Sequence, residues 1–215
     1  MRKSVFYYLI TGVFVLVTFI AALWNIITLF TDFRLVLFFA ALLFFLLIPA
    51  IIYLVNRWKV PVWIQGAALF LFALAIRIVW IYNVPTVPIS DFELLYNAST
   101  DWVRGDFSFV KTPYFDMWSY QLGYVWFQSL LMRLFGTGYE AIKIFNCIFS
   151  SLTVLTGYLT AKKLFGPNCA LMTGILIASD ITLVTMTSVL TNQHIALLLF
   201  YIGLYIIACT KNKIG

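Results

Sequence analysis

The chain has 215 residues, of which 63% are hydrophobic and only 10% are charged, and its formal net charge is +6. So few charges cannot supply the polar surface that a soluble domain needs, and the mean hydropathy of +0.99 predicts a membrane protein instead. The basic residues are scattered and form no stripe, so the pI of about 9.3 gives no indication of nucleic-acid binding.

Three long apolar runs open the chain, at residues 5–30, 35–55 and 61–82. Each has the roughly 20 residues needed to cross a hydrocarbon core of about 30 Å. The first run is too long for a cleaved signal peptide, so we interpret it as a signal anchor. Because basic residues accumulate on the cytoplasmic side, the N-terminus and Arg57 face the cytoplasm, and the third run emerges on the outer face.

A polar stretch follows the third run. Residues 83–118 hold three prolines and five of the chain's eight carboxylates: Asp91, Glu93, Asp101, Asp106 and Asp116. This outer loop is therefore where we expect the chemistry of the protein to lie.

Within the loop, Ser90-Asp91-Phe92-Glu93 matches the S-x-x-E pattern of a helix capping box, and Gly105 stands where a C-terminal glycine cap would be. The apolar spacing between them predicts a short amphipathic helix on the outer surface. Asp91 then has two interpretations. It complements the helix dipole in the first turn, or it is a preorganised carboxylate that serves as a general base or a metal ligand.

Four further apolar runs occupy residues 120–135, 141–164, 170–190 and 195–209. The first is short and either spans the membrane or dips into its outer interface. If it does not span, eight basic residues face the cytoplasm, and if it does, six do. We therefore favour an all-α polytopic bundle of about six spans: three in residues 1–82, an outer loop with juxtamembrane helices in residues 83–140, and three more in residues 141–215.

Several short motifs follow one another between residues 70 and 210. They are Arg77, then Pro85 and Pro88, then Ser90-Asp91-Phe92 with Tyr96, Gly123-Tyr124 running to Leu134-Phe135-Gly136, Lys162-Lys163-Leu164-Phe165-Gly166, and Leu190-Thr191-Asn192-Gln193-His194. In this order and spacing the sequence resembles the GT-C superfamily of membrane glycosyltransferases. The resemblance is strongest to bacterial relatives of protein O-mannosyltransferases and aminoarabinose transferases.

The resemblance implies transfer of a sugar from a polyprenyl-phosphate donor to an acceptor at the outer face of the cell membrane. Asp91 would activate the acceptor or help to hold a divalent cation, Mg²⁺ or Mn²⁺. Arg77 would bind the lipid phosphate, or would only snorkel towards the outer interface. The weaker candidates for substrate binding are Glu93, Tyr96, Asp101 and His194.

Two polar residues of the later runs have open interpretations. Asp180 lies inside an apolar run, where it faces a cavity or a partner, or else begins a new helix as an N-cap. His194 is the chain's single histidine. At a helix turn such a residue is more often a hydrogen-bonded cap than a ligand.

Members of this superfamily generally have more spans than the six predicted here. We therefore expect either a truncated reading frame or a short member that needs a partner chain to supply the missing helices. The alternative function is a non-catalytic membrane partner or a transporter-like helical protein, which would not require Asp91.

Overall fold

The computed structural model describes residues 19–20 and 34–210. Every regular element in these ranges is helical, which confirms the predicted all-α fold. The chain divides between Arg57 and Trp58 into two compact units, each described here by itself.

The first unit contributes helix α1, Arg34–Arg57, which coincides with the second apolar run. Its described apolar part, Leu42–Arg57, exposes large side chains such as Leu43 and Leu46 and is shorter than a full span. The first apolar run lies outside the described residues except for residues 19–20, so the signal anchor stays a prediction.

The second unit contains eight helices in its described part. They are α2 (Val62–Asn83), α3 (Asp91–Arg104), α4 (Pro113–Met117), α5 (Leu122–Phe135), α6 (Tyr139–Phe165), α7 (Pro167–Ala178), α8 (Ile181–Thr185) and α9 (Gln193–Thr210). Short 3-10 turns at Ser108–Lys111, Ser119–Gln121 and Met186–Ser188 join some of them. Helices α3 to α5 thus form the segment between α2 and α6.

Three described helices, α2, α6 and α9, are long and apolar enough to cross a membrane. The pair Pro167–Ala178 and Ile181–Ser188 passes the same test together but is bent by 49°, so it forms a broken span or a re-entrant loop. Helix α5 has 14 residues, about 21 Å of helix, which is less than the hydrocarbon core. This length agrees with the topology in which residues 120–135 do not span.

Helix α6 is the centre of the second unit and packs against α2, α7 and α9. Its apolar window is 56% buried, compared with 28% for α2 and 17% for α9. The neighbouring helices therefore keep broad apolar faces for lipid or for other helices, while α6 is enclosed by protein.

The break between α7 and α8 is formed by Asp180. Its carboxylate oxygen Oδ1 accepts a hydrogen bond from the amide of Leu183 at 3.0 Å, as an N-cap does. One of the two sequence interpretations of Asp180, the start of a new helix, is therefore confirmed.

The predicted helix between Asp91 and Gly105 is present as α3, and Gly105 ends it in a left-handed conformation (φ 83°) as expected. The predicted capping box is wrong. Ser90 has φ 55° and ψ −131°, and in this backbone conformation its hydroxyl makes no capping hydrogen bond. Only its carbonyl joins the helix, by accepting from the amide of Leu94 at 3.1 Å.

Gly157 provides a test of the packing around α6. A Cβ atom at this position would lie 2.6 Å from Ile177 Cδ1 and 3.3 Å from Tyr201 Cε1, so a larger residue would push α7 and α9 away. We expect Gly157→Val to destabilise the protein by about 1–3 kcal/mol, measured as a lower thermal midpoint in detergent. The control is Gly203→Val in α9, where an added Cβ meets open space. Equal midpoints for the two variants would contradict this packing.

Candidate functional site

The segment between α2 and α6 has an apolar core of its own. Helix α3 packs against α5, and the buried residues of this core are Leu95, Ala98, Phe109, Phe115, Tyr124 and Val125. The rings of Phe109 and Phe115 meet edge to face, with their centroids 5.5 Å apart. The core holds the turn Ser108–Lys111 and α4 beside α3, which creates a cleft between them.

The cleft has a volume of about 500 Å³. Glu93, Asn97 and Asp101 line one wall, four residues apart on α3, and therefore share one helix face. Tyr114 and Phe115 of α4 belong to the opposite wall. The arrangement places two carboxylates, an amide and aromatic rings around one space, a set of groups that can hydrogen-bond and stack on a sugar.

Asp91 is the first residue of α3 and is exposed, but it does not line the cleft. It lies close enough to Tyr114 to affect that residue: burial raises the pKa of the Tyr114 phenol, and the negative charge of Asp91 raises it further. The structure thus brings Glu93 and Asp101 together in the cleft and leaves Asp91 near its edge.

Two other charged residues of the loop have local roles. Asp106 Oδ1 accepts a hydrogen bond from the Ser108 amide at 2.8 Å, which lowers the pKa of Asp106 and fixes the turn after α3. Arg104 lies 4.0 Å from Asp101 in an exposed pair, which contributes little to stability. Asp101 therefore stays available to a ligand in the cleft.

Tyr96 faces away from the cleft. Its hydroxyl donates to the carbonyl of Thr137, and its ring packs edge to face on Tyr139 with the centroids 4.8 Å apart. Burial, and secondarily Tyr139, raises the pKa of Tyr96. In this structure Tyr96 joins α3 to the turn before α6.

Arg77 is fully buried in α2, so the predicted snorkelling towards the interface is wrong. Its Nε donates to Ser150 Oγ at 2.7 Å, and its Nη1 donates to the carbonyls of Ala73 and Ala178, both at 3.1 Å. Nη2 reaches the carbonyl of Ile177 at 3.4 Å. Binding of a lipid phosphate by Arg77 stays a prediction, and it would require the guanidinium to give up some of these bonds.

His194 lies in the first turn of α9 and is 1% exposed. Neither ring nitrogen has a hydrogen-bond partner among the residues that the structure describes. The backbone of Met186 is close enough to interact with the imidazole, so the expectation of a hydrogen-bonded histidine stays a prediction. The ring lines a groove of about 430 Å³ with Thr182, Met186 and Leu197, in the membrane-spanning part of the unit rather than in the cleft.

A polar cluster between α3 and α5 was not predicted from the sequence. The hydroxyl of Ser99 lies 2.7 Å from the Leu95 carbonyl and 2.9 Å from Gln128 Oε1. Tyr124 and Gln128 are also buried, and their side chains lie close enough to interact with each other. Their i, i+4 spacing could have indicated a shared face, but the pairing with Ser99 depends on the tertiary fold.

Carboxylate, histidine and cysteine side chains do not converge on a metal site in the described part of the chain, where no three of them are grouped. Glu93 and Asp101 offer oxygen ligands in the cleft, and Asp91 offers another at its edge. Mg²⁺ is commonly held by one or two carboxylates together with water and substrate phosphate. The residues present fit that pattern better than an all-protein cage.

Comparison with known proteins gives one family. Residues 121–214 match the family model described as dolichyl-phosphate-mannose-protein mannosyltransferase. No curated protein and no solved structure matches the chain. The matched part is less than half of the chain and begins after the cleft, so it supports the resemblance to GT-C glycosyltransferases without testing Asp91, Glu93 or Asp101.

The bonds of Arg77 predict a structural role that can be measured. Arg77→Met removes the donor to the Ala178 carbonyl at the end of α7, and an unsatisfied buried acceptor costs about 1–3 kcal/mol. We expect Arg77→Met to lower the thermal midpoint in detergent clearly. The midpoint of Arg77→Lys should lie between those of Arg77→Met and the wild type. Arg104→Met, on the exposed face of α3, is the control. A variant Arg77→Met as stable as the wild type would contradict the structural role.

The buried Tyr124 hydroxyl predicts a loss of stability in alkali. Burial raises the pKa of Tyr124 above its ordinary value of 10.0. The contribution of the protonated Tyr124 to the free energy of unfolding is complete below pH 10. Above this pH, tyrosine ionises more readily in the unfolded chain, so stability falls by up to about 1.4 kcal/mol per pH unit. Tyr124→Phe should reduce the fall of the thermal midpoint above pH 10, and Tyr120→Phe, with an exposed hydroxyl, should not. Equal slopes for the two variants would show that Tyr124 does not titrate in this way.

Proposed function

We propose that this chain is a membrane glycosyltransferase that moves a sugar from a polyprenyl-phosphate donor to an acceptor hydroxyl at the outer face of the membrane. The observation that carries the proposal is the cleft lined by Glu93 and Asp101, next to helices whose sequence matches a mannosyltransferase family. The apolar spans α2, α6 and α9 account for a donor that stays in the bilayer.

The cleft suits a sugar in size and in chemistry. Its volume of about 500 Å³ lies within the range of about 300–1,000 Å³ that is usual for ligand pockets. Glu93, Asn97 and Asp101 accept or donate hydrogen bonds to sugar hydroxyls, and Tyr114 offers an aromatic face. We assign these residues to substrate binding.

Asp91 is the general base of the proposed reaction. The acceptor oxygen forms a bond to the anomeric carbon while the bond from that carbon to the phosphate oxygen breaks, and the polyprenyl phosphate leaves with the electron pair. The proton of the acceptor hydroxyl passes to the Asp91 carboxylate. An exposed carboxylate at the edge of the cleft is accessible to an acceptor that arrives from outside the membrane.

A divalent cation, Mg²⁺ or Mn²⁺, is a further part of the proposal. In the alternative role of Asp91, its carboxylate would be one ligand of this cation instead of the base, and water and the donor phosphate would supply others. Bound there, the cation would neutralise charge on the leaving phosphate. We also propose that a partner chain supplies further membrane helices.

The experiment measures transfer of radiolabelled sugar from polyprenyl-phosphate donors in membranes that contain the full chain. Asp91→Asn should lower the rate by about 10²–10⁴, because it removes general base catalysis. Glu93→Gln and Asp101→Asn should mainly raise the donor or acceptor concentration needed. Asp116→Asn, an exposed carboxylate outside the cleft, is the matched control.

The outcomes separate the two classes of function. Transfer that survives Asp91→Asn at the rate of the control would remove Asp91 from catalysis. No transfer with any donor by a correctly inserted wild-type chain would favour a non-catalytic membrane partner. A capping box would have given the Ser90–Glu93 motif a purely structural role, as the non-catalytic alternative requires. Because Ser90 makes no capping hydrogen bond, that alternative loses support.

A further inference from the structure

Lys143 is a buried cation on the second turn of α6. Its side chain is 8% exposed, and its Nζ donates to the carbonyl of Thr86 at 2.6 Å. The ring of Tyr139 lies 5.9 Å from the same nitrogen. Within residues 34–210, Lys143 forms no ion pair with a carboxylate. The groups in direct contact with its charge are a carbonyl dipole and an aromatic face.

The carboxylate of Glu140 attracts this charge from beyond ion-pair distance. Glu140 is one turn away on α6, but its side chain folds back over Gly138, where Oε2 lies 2.6 Å from the position that a Cβ would take. An ammonium has three donors, and the contacts described use one of them. Burying a charge without a full partner is costly, so an anion at the remaining donors would be strongly favoured.

Lys143 borders a small cavity at the outer ends of two spans. The cavity measures about 200 Å³ and is lined by Ile81, Tyr82 and Pro85, and by Glu140, Lys143 and Ile144 of α6. It lies where α2 ends at Asn83 and α6 begins at Tyr139, the level at which lipid headgroups meet protein in the predicted topology. It shares no lining residue with the cleft.

The ligand is limited by position and size. The cavity is smaller than the roughly 300 Å³ at which pockets for drug-sized molecules begin, so it takes a headgroup fragment rather than a whole sugar-bearing donor. At this level of a bilayer the abundant anion is the phosphate of a lipid. Lysine binds phosphate as a point charge, and basic pockets between membrane helices bind lipid headgroups.

We propose that Lys143 binds the phosphate group of a membrane lipid at the outer interface between α2 and α6. Such a lipid would hold the link after α2 against α6, because Thr86, which accepts from Lys143, lies in that link. The proposal rests on the geometry of Lys143 and on the membrane assignment. It does not rest on sugar transfer.

The experiment measures the thermal midpoint of the purified full chain in detergent against added lipid. Phosphatidylglycerol should raise the midpoint with increasing concentration, and diacylglycerol, which has no phosphate, should not. Lys143→Met should weaken the effect about tenfold, and Lys143→Arg should retain most of it. Lys163→Met, an exposed lysine at the opposite end of α6, is the matched control.

Polyprenyl phosphate is the third lipid tested. Polyprenyl phosphate could raise the midpoint of the wild type but not of Lys143→Met, while phosphatidylglycerol has no effect on either. This result would support the phosphate site and identify the polyprenyl lipid as its ligand. Equal effects of phosphatidylglycerol and diacylglycerol on the wild type would overturn the proposal, and this comparison holds even if Lys143→Met does not fold. Wild-type affinity in a folded Lys143→Met protein would overturn it as well.

Discussion

The described membrane-spanning part of the second unit depends on the contact between Arg77 and the broken span of α7 and α8. Where a helix ends inside a bilayer, its last carbonyls cannot accept hydrogen bonds from water. Such helix ends occur only where the protein supplies another donor. Arg77 supplies donors to Ala178 and Ile177 and to Ser150 of α6, so one guanidinium joins α2, α6 and α7. An arginine at this depth is compatible with the membrane because it is fully enclosed.

Because Arg77 holds the helices together, the carboxylates of α3 are better placed than Arg77 to bind a ligand. Its guanidinium is occupied by backbone and serine oxygens, whereas the carboxylates of α3 face an open cleft. The chain thus separates its two kinds of polar group. Those among the apolar spans hold a bent span together, and those of the segment between α2 and α6 surround a space that can receive a ligand. Under the proposed function, a sugar and an acceptor would meet at the second group.

The sequence predicted those features that local chemistry determines. Apolar runs gave α2 and α6 nearly to their ends, Gly105 gave the end of α3, and Asp180 was among the expected helix starts. The features it missed depend on residues far apart in the chain. Arg77 contacts residues 73 and 101 positions away, and Lys143 bonds to Thr86 across 57 positions. Ser90 failed as a cap because its backbone, which no local pattern revealed, takes a positive φ.

In the link after α2, Thr86 forms hydrogen bonds to two other parts of the unit. Its carbonyl accepts from Lys143, and its hydroxyl donates to the carbonyl of Ser188, next to the start of α9. At the other end of the segment, the Tyr96 hydroxyl ties α3 to Thr137. Helix α3 is therefore joined to the bundle through the link before it and through Tyr96 in its second turn. The carboxylates of one wall and the aromatic rings of the other therefore belong to separate pieces of chain, which only the shared apolar core brings together.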